Sequence, residues 1–186
     1  STRYTHRQAS LAPSVALMAR QFAQRPGNYL AFFSSYDYLE QVATLMAATH
    51  PQLPCWSQSP RMSEREQRQF LELFTDTSSG IGFAVLGGAF AEGIDLPGRR
   101  LVGAFVSTLG LPQVNPVNEQ LRQRMQLLFG AGYDYTYLFP GLQKVVQAAG
   151  RVIRTPNDEG VVHLLDDRFG QPEVQQLLPR WWAPAP

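Results

Sequence analysis

The sequence predicts an α/β fold, a mainly parallel sheet with helices on both faces. Three observations carry that expectation. Short apolar runs alternate with stretches of helical period along most of the chain. The run Tyr29-Leu30-Ala31-Phe32-Phe33 is apolar throughout, as a strand covered on both faces must be. Ser34 and Ser35 follow it at once, placed as a helix N-cap ahead of an apolar stripe at Leu39, Val42, Ala43 and Met46, which spells strand, tight loop, helix.

The other elements follow in order. Leu11, Val15, Met18 and Phe22 share one face, so residues 1–27 form a helical lead-in that Pro26-Gly27 stops. A proline-rich connection runs from Pro51 to Pro60. Ser63 and Glu66 then form a capping box for a helix carrying Phe70, Leu73 and Phe74. Strands are expected at Ile81 to Leu86 and Leu101 to Val106. The segment between them, Gly87 to Gly98, is too rich in glycine for a helix. Asn115-Pro116 caps and opens a helix bearing Leu121, Met125 and Leu128. A further helix runs from near Leu142 and ends before Pro156, and Gly160 to Leu165 makes another strand, with Asp166-Asp167-Arg168 at its carboxyl end. Ligands of open parallel sheets bind outside the carboxyl ends of strands. Ser34-Ser35, Gly87 to Asp95 and Asp166 to Arg168 are therefore expected along one edge.

Composition sets limits without choosing a function. With 186 residues the chain suits one domain with one sizeable core. Hydrophobic content of 44% against 17% charged excludes disorder. A net charge of +1 gives no bulk attraction for nucleic acid, so any such binding must be local. Cys55 is the one cysteine, which excludes an internal disulfide framework and a cysteine-ligated cluster within the chain and suits a reducing, cytoplasmic setting. No apolar run approaches a membrane span. His6 and His50 lack metal-ligand spacing, and no metal site is expected. The chain opens on Ser1 rather than Met, as a processed protein or an excised piece of a longer one would.

The chemistry concentrates in Gln147-Ala148-Ala149-Gly150-Arg151-Val152-Ile153-Arg154. At roughly 100° per residue, Gln147, Arg151 and Arg154 fall within an arc of roughly 60°, opposite an apolar face. Two forked, permanently charged guanidiniums can grip a polyphosphate. On spacing alone a solvated basic face is the simpler reading. For Ser34 and Ser35, ordinary capping and phosphate binding at a helix N-terminus stand level. Tyr36 reads as a packing residue, Asn115 and Asn118 as a helix start, and His163 as a hydrogen-bonded core residue. Trp181-Trp182 reads as a clamp for the chain end, and Asp166 and Asp167 as solvated carboxylates.

Three ordered segments resemble motifs of superfamily-two DNA helicases of the DinG and XPD branch, in their second RecA-like motor domain. Asn28 to Tyr36, ending Phe33-Ser34-Ser35-Tyr36, resembles motif IV. Gly88 to Gly98, with Glu92-Gly93-Ile94-Asp95-Leu96-Pro97-Gly98, resembles motif V. Gln147 to Arg154, followed by Asp158-Glu159-Gly160, resembles motif VI. The resemblance covers nearly the whole chain. It implies one RecA-like three-layer sandwich over residues 1–186.

What the resemblance implies for the site is equally concrete. Arg151 would act as an arginine finger on ATP, with Arg154 supporting it. Gln147 would contact the γ-phosphate, and Asp95, with the backbone near Gly93, the ribose. Glu92 would order its loop by pairing with a motif VI arginine. Ser34, Ser35, Tyr36 and the amides of Gly87 and Gly88 would hold single-stranded DNA by its phosphates, since a translocating motor must accept every sequence. ATP and Mg²⁺ would be shared with an N-terminal RecA-like domain of the same polypeptide, because no Gly-x-x-x-x-Gly-Lys-Ser/Thr loop occurs here. An iron-sulfur cluster would belong to that other domain. The resemblance also implies 5′-to-3′ polarity and a role in repair or replication, with negligible hydrolysis by this chain alone. Two other readings remain open: a stand-alone RecA-like module that binds nucleic acid or protein without catalysis, and an unrelated enzyme using Glu92 and Asp95.

Overall fold

The computed structural model describes residues 1–90, 94–152, 159–180 and 182. Helix α1 (Arg7–Gln24) leads into β1 (Asn28–Phe33), then α2 (Tyr36–Thr49), β2 (Cys55–Ser57), α3 (Glu64–Glu72) and β3 (Gly80–Val85). There follow β4 (Gly103–Ser107), α4 (Pro116–Phe129), a π-helical turn at Asp134–Leu138, α5 (Phe139–Ala149), β5 (Val161–Leu164) and α6 (Pro172–Gln175). Among the described residues the sheet has five strands in the order β2-β3-β1-β4-β5. Every pairing is parallel, with Leu30 opposite both Gly82 and Ala104.

Because successive strand residues face opposite sides, β1 feeds two cores. Leu30 and Phe32 join Ala84, Ala104, Val106, Leu142 and Val145 on the side of α3, α5 and α6. Tyr29, Ala31 and Phe33 join Leu11, Val15, Met18, Leu39, Val42 and Met46 on the side of α1 and α2. All six residues of β1 are buried. The result is a three-layer α/β sandwich, the architecture expected from the apolar run at 29–33.

Local signals written in the sequence are realised where their geometry is self-contained. The capping box closes in both directions, Ser63 accepting from the Glu66 amide and Glu66 from the Ser63 amide. Asn115 accepts from the Asn118 amide at 2.9 Å and Pro116 occupies the first turn of α4. His163 sits half-buried in β5, its Nε2 2.9 Å from Gln21 Oε1 and its ring stacked on Phe105. Burial holds its pKa below the usual value, with a smaller push from Arg20.

Three expectations change. The proline-rich connection contains a strand: Cys55–Ser57 pairs with β3 at the sheet edge, and the Trp56 indole lies over Gly80 and Gly82, where a Cβ would collide with it. Helix α4 has no buried residue; Leu121 and Leu128 are exposed, and the helix is held by polar contacts, Tyr137 donating to Glu119 at 2.7 Å and the Gly132 amide to Gln126 at 3.0 Å. The third change concerns the arginine-bearing helix and bears on function.

Candidate nucleotide and nucleic-acid sites

Helix α5 stops at Ala149. Gly150 donates to Val146 at 2.9 Å, the last α-helical bond, and then Arg151 donates to Ala148 and Val152 to Ala149, three residues back. The chain therefore tightens into a turn at Gly150, so Gln147 and Arg151 do not share one continuous helix face as the spacing implied. Gln147 is exposed on the helix; Arg151 is half-buried on the turn beyond it. Arg154, Glu92 and Gly93 lie outside the described residues.

Arg151 Nη1 donates to the carbonyl oxygen of Ile94 at 3.4 Å, and its Nε is buried without a hydrogen-bond partner. Ile94 is itself buried in the core, and exposed Asp95 follows it. The fold thus brings Arg151 against the glycine-loop segment, through a backbone carbonyl.

The position of α5 decides what shares an edge. Gly141, in its first turn, packs against the segment after β4: a Cβ there would stand 2.6 Å from Leu109 O. The other end approaches the start of β5, where Val152 packs over Gly160 so closely that a Cβ on Gly160 would collide with it. At about 1.5 Å per residue, the eight steps along α5 from Gly141 to Ala149 span about 12 Å. Ser34-Ser35, Gly87-Gly88 and Asp166 to Arg168 do follow the carboxyl ends of β1, β3 and β5. Asp95 follows Ile94 to Arg151, toward the far end of α5. One expected site becomes two patches joined by a helix.

At the carboxyl edge, Ser35 is the N-cap of α2, its hydroxyl accepting from the Tyr38 amide at 3.3 Å. Capping is thus realised for Ser35, while Ser34 is exposed and makes no cap. Tyr36 is positioned by its hydroxyl, which accepts from Gln58 Nε2 at 2.9 Å, while Gln58 Oε1 accepts from the Val85 amide. Gly88 is not a free donor. Its amide bonds Val85 O at 3.1 Å, closing a turn in which Gly87 takes φ +81°. Two cations that sequence reading did not single out stand beside these groups. Lys144 of α5 reaches over Gly87, with Nζ 3.5 Å from where a Cβ would be. Arg7 of α1 reaches Ser34 and Ser35. Neither has a local motif; only the packing of α1 and α5 on the sheet delivers them.

Asp166 is the clearest departure among the carboxylates. It is buried rather than solvated: its side chain accepts from the amide and hydroxyl of Thr2 and from the amide, Nε (2.6 Å) and Nη2 (3.0 Å) of Arg168. Burial alone would raise its pKa, but the hydrogen bonds from Arg168 and Thr2 outweigh burial and hold the carboxyl well below the usual range. A depressed folded-state value means its stabilisation is complete above the ordinary 3.8 and drains away as pH falls below it. Asp166→Asn is expected to cost roughly 2 kcal/mol near neutral pH in urea unfolding. The difference from the parent should shrink as pH falls below the ordinary aspartate value.

No group of three or more His, Cys, Asp or Glu side chains is arranged for a metal among the described residues, and no described helix is long and apolar enough to cross a membrane.

Against known proteins, residues 18–185 match the family model described as helicase C-terminal domain. The ATP-dependent DNA helicase chl-1 of Caenorhabditis elegans is 28% identical over 193 residues, covering 92% of this chain and 21% of that protein. The XPD helicase subunit of general transcription and DNA repair factor IIH of Dictyostelium discoideum is 24% identical, covering 89% of this chain and 23% of that protein. Among solved structures, an apo form of XPD superposes with a TM-score of 0.70 at 23% identity, over 88% of this chain and 33% of the other. Xpd4 of S. tokodaii gives 0.69 at 18% identity, over 97% and 35%. These superpositions establish the shared RecA-like fold. The chain spans under a quarter of the length of those two curated relatives.

Proposed function

From a chain that belongs to the helicase C-terminal domain family, on its XPD and DinG branch, we propose the second motor domain of an ATP-dependent DNA helicase that moves 5′ to 3′ on single strands in repair or replication. One observation carries the reading. Arg151 is held at the end of α5 against the Ile94 carbonyl, with a buried Nε that lacks a partner. A guanidinium fixed on one side and unsatisfied on another is suited to accept an anion brought by a second domain.

ATP fits that arrangement. Arg151 supplies planar donors for the phosphates, Gln147 stands exposed one turn before it, and Asp95 lies one residue beyond Ile94, where a carboxylate can accept from ribose hydroxyls. Arg154, Glu92 and Gly93 are assigned supporting roles by resemblance. ATP supplies the phosphoryl group whose transfer releases free energy; this chain's share is to stabilise charge from one side. The phosphate cradle, the Mg²⁺ and any iron-sulfur cluster are assigned to an N-terminal RecA-like domain of the same polypeptide, because this sequence has no Gly-x-x-x-x-Gly-Lys-Ser/Thr loop and one cysteine.

At the carboxyl edge, Ser34, the α2 N-terminus, Tyr36 and the Gly87 turn are assigned to the phosphates of single-stranded DNA. Helix α5, running between the two patches, would transmit nucleotide state to that grip. The test joins this chain to its upstream half and measures ATP hydrolysis with and without single-stranded DNA. DNA-stimulated turnover is expected only from the joined protein. Hydrolysis by this chain alone, or a joined protein indifferent to DNA, would count against the reading.

A further inference from the structure

Arg7 is the first residue of α1, and its guanidinium crosses to the turn that follows β1. Nη2 donates to Ser34 Oγ at 2.8 Å and Nη1 to Ser35 Oγ at 3.4 Å. Below it lies the ring of fully buried Tyr38, 4.6 Å from the guanidinium carbon, and the Tyr4 ring stands 5.5 Å away. Arg7 Nε is buried and has no hydrogen-bond partner. Among the described residues no carboxylate pairs with Arg7. A half-buried cation held by neutral hydroxyls and aromatic faces is under-compensated, because hydroxyl dipoles replace only part of the hydration that it has lost. An anion is the missing partner.

The surroundings say which kind. Ser35 is already committed to capping α2, a fourteen-residue helix whose N-terminus favours negative charge, and Ser34 is exposed. The chain before Arg7 extends the strip: Tyr4 is 85% exposed and Arg3 is exposed, while Thr2 is tied down on Asp166 beyond β5. The first seven residues therefore form a strap running from the end of β5 to the end of β1 at the carboxyl edge of the sheet. An arginine for a phosphate, followed by an open aromatic ring for a base, suits a single-stranded polymer better than a lone anion.

We propose that Arg7 is a nucleic-acid-binding residue, clamping a backbone phosphate of single-stranded DNA between its guanidinium, the Ser34 hydroxyl and the α2 N-terminus, with Tyr4 stacking on an adjacent base. The proposal rests on the nucleic-acid reading of this edge and adds to it the N-terminal strap.

The experiment is fluorescence anisotropy of a labelled oligo(dT) with the whole chain across a sodium chloride series. Arg7→Ala is expected to raise the Kd about tenfold and to reduce the slope of log affinity against log salt by about 0.7, the value for one lost single-strand phosphate contact. Tyr4→Ala should raise the Kd with the slope unchanged. Arg7→Lys should keep the slope and lose affinity, because charge survives but the fork does not. An Arg7→Ala protein of parental circular dichroism with unchanged Kd overturns the proposal. A raised Kd at unchanged slope also overturns it, since Arg7 would then only brace the serine turn. If Arg7→Ala does not fold, Arg7→Lys decides, and parental affinity in that variant overturns the clamp. Inorganic phosphate or ATP displacing the oligonucleotide far more effectively than sodium chloride of equal ionic strength would assign the site to a free phosphate and likewise overturn it. If the unaltered chain binds no oligonucleotide even at low salt, the nucleic-acid reading of the edge fails and the clamp with it. Oligonucleotide binding by the unaltered chain that the Arg7 variants keep in full leaves that reading standing and overturns the clamp alone.

Discussion

Arg151→Ala in the joined two-domain protein is expected to lower DNA-stimulated ATP hydrolysis at least about 10³-fold, the scale of a lost arginine finger. Thermal stability and oligonucleotide affinity should stay near those of the parent. The separation follows from geometry. Arg151 lies on a turn past the end of α5, on the side of β5's start, whereas Ser34 and Arg7 lie beyond the end of β1. Arg151→Lys is the sharper variant, because lysine keeps the charge and loses the planar pair of donors. It should remain severely impaired, measured as single-turnover hydrolysis with saturating DNA. Full activity in the lysine variant would leave Arg151 as a structural tether for the Ile94 carbonyl and move the catalytic role elsewhere.

Phe105→Ala is expected to be the most destabilising of the substitutions considered, by about 3–5 kcal/mol in urea unfolding. Phe105 is fully buried at the centre of β4, its ring stacked on Tyr29 at 5.3 Å and on His163 at 5.3 Å between ring centroids. Removing it opens a cavity between neighbours that strand pairing prevents from collapsing inward. Against a typical total of about 5–15 kcal/mol, much of the stability would go. A cost below about 1 kcal/mol would mean that the α1 and α2 layer repacks freely, contrary to the close-packed core described for that face.

Much of the fold was legible because the signals involved are local. The run at 29–33 had to be a central strand, and it is buried along its whole length. The Ser63–Glu66 box and the Asn115-Pro116 start need only their own few residues, and both form as written. Strand β2 was hidden because it is three residues long beside Pro54, and it exists only because β3 offers an edge with glycines that admit Trp56. The helical period from Gln147 to Arg151 misled for a related reason. Period describes which residues could share a face, whereas the end of α5 is set by the turn at Gly150 and by Val152 packing over Gly160.

The candidate site divides in the same way. Arg151, Gln147, Asp95 and Ser34 could be named from motif and spacing. Lys144 and Arg7 could not, since nothing beside them in sequence distinguishes a functional cation from a solvated one. What makes them notable is a partner remote in sequence, Gly87 for one and Ser34 for the other. Asp166 was misread for the same reason: its partner Thr2 lies 164 positions away.

By itself the sequence determined the layer order of this protein, the ends of several helices and the motifs that mark its family, because hydrophobic period, capping and glycine content act over a turn or less of chain. Only the tertiary structure decided that Arg151 and Ser34 occupy separate patches, that Arg7 and Lys144 join the carboxyl edge, and that Gly141 must lack a side chain for α5 to approach Leu109. Those facts depend on where two distant segments meet. That meeting is fixed by burying both faces of the sheet at once, a condition the whole chain satisfies and no short stretch of it contains.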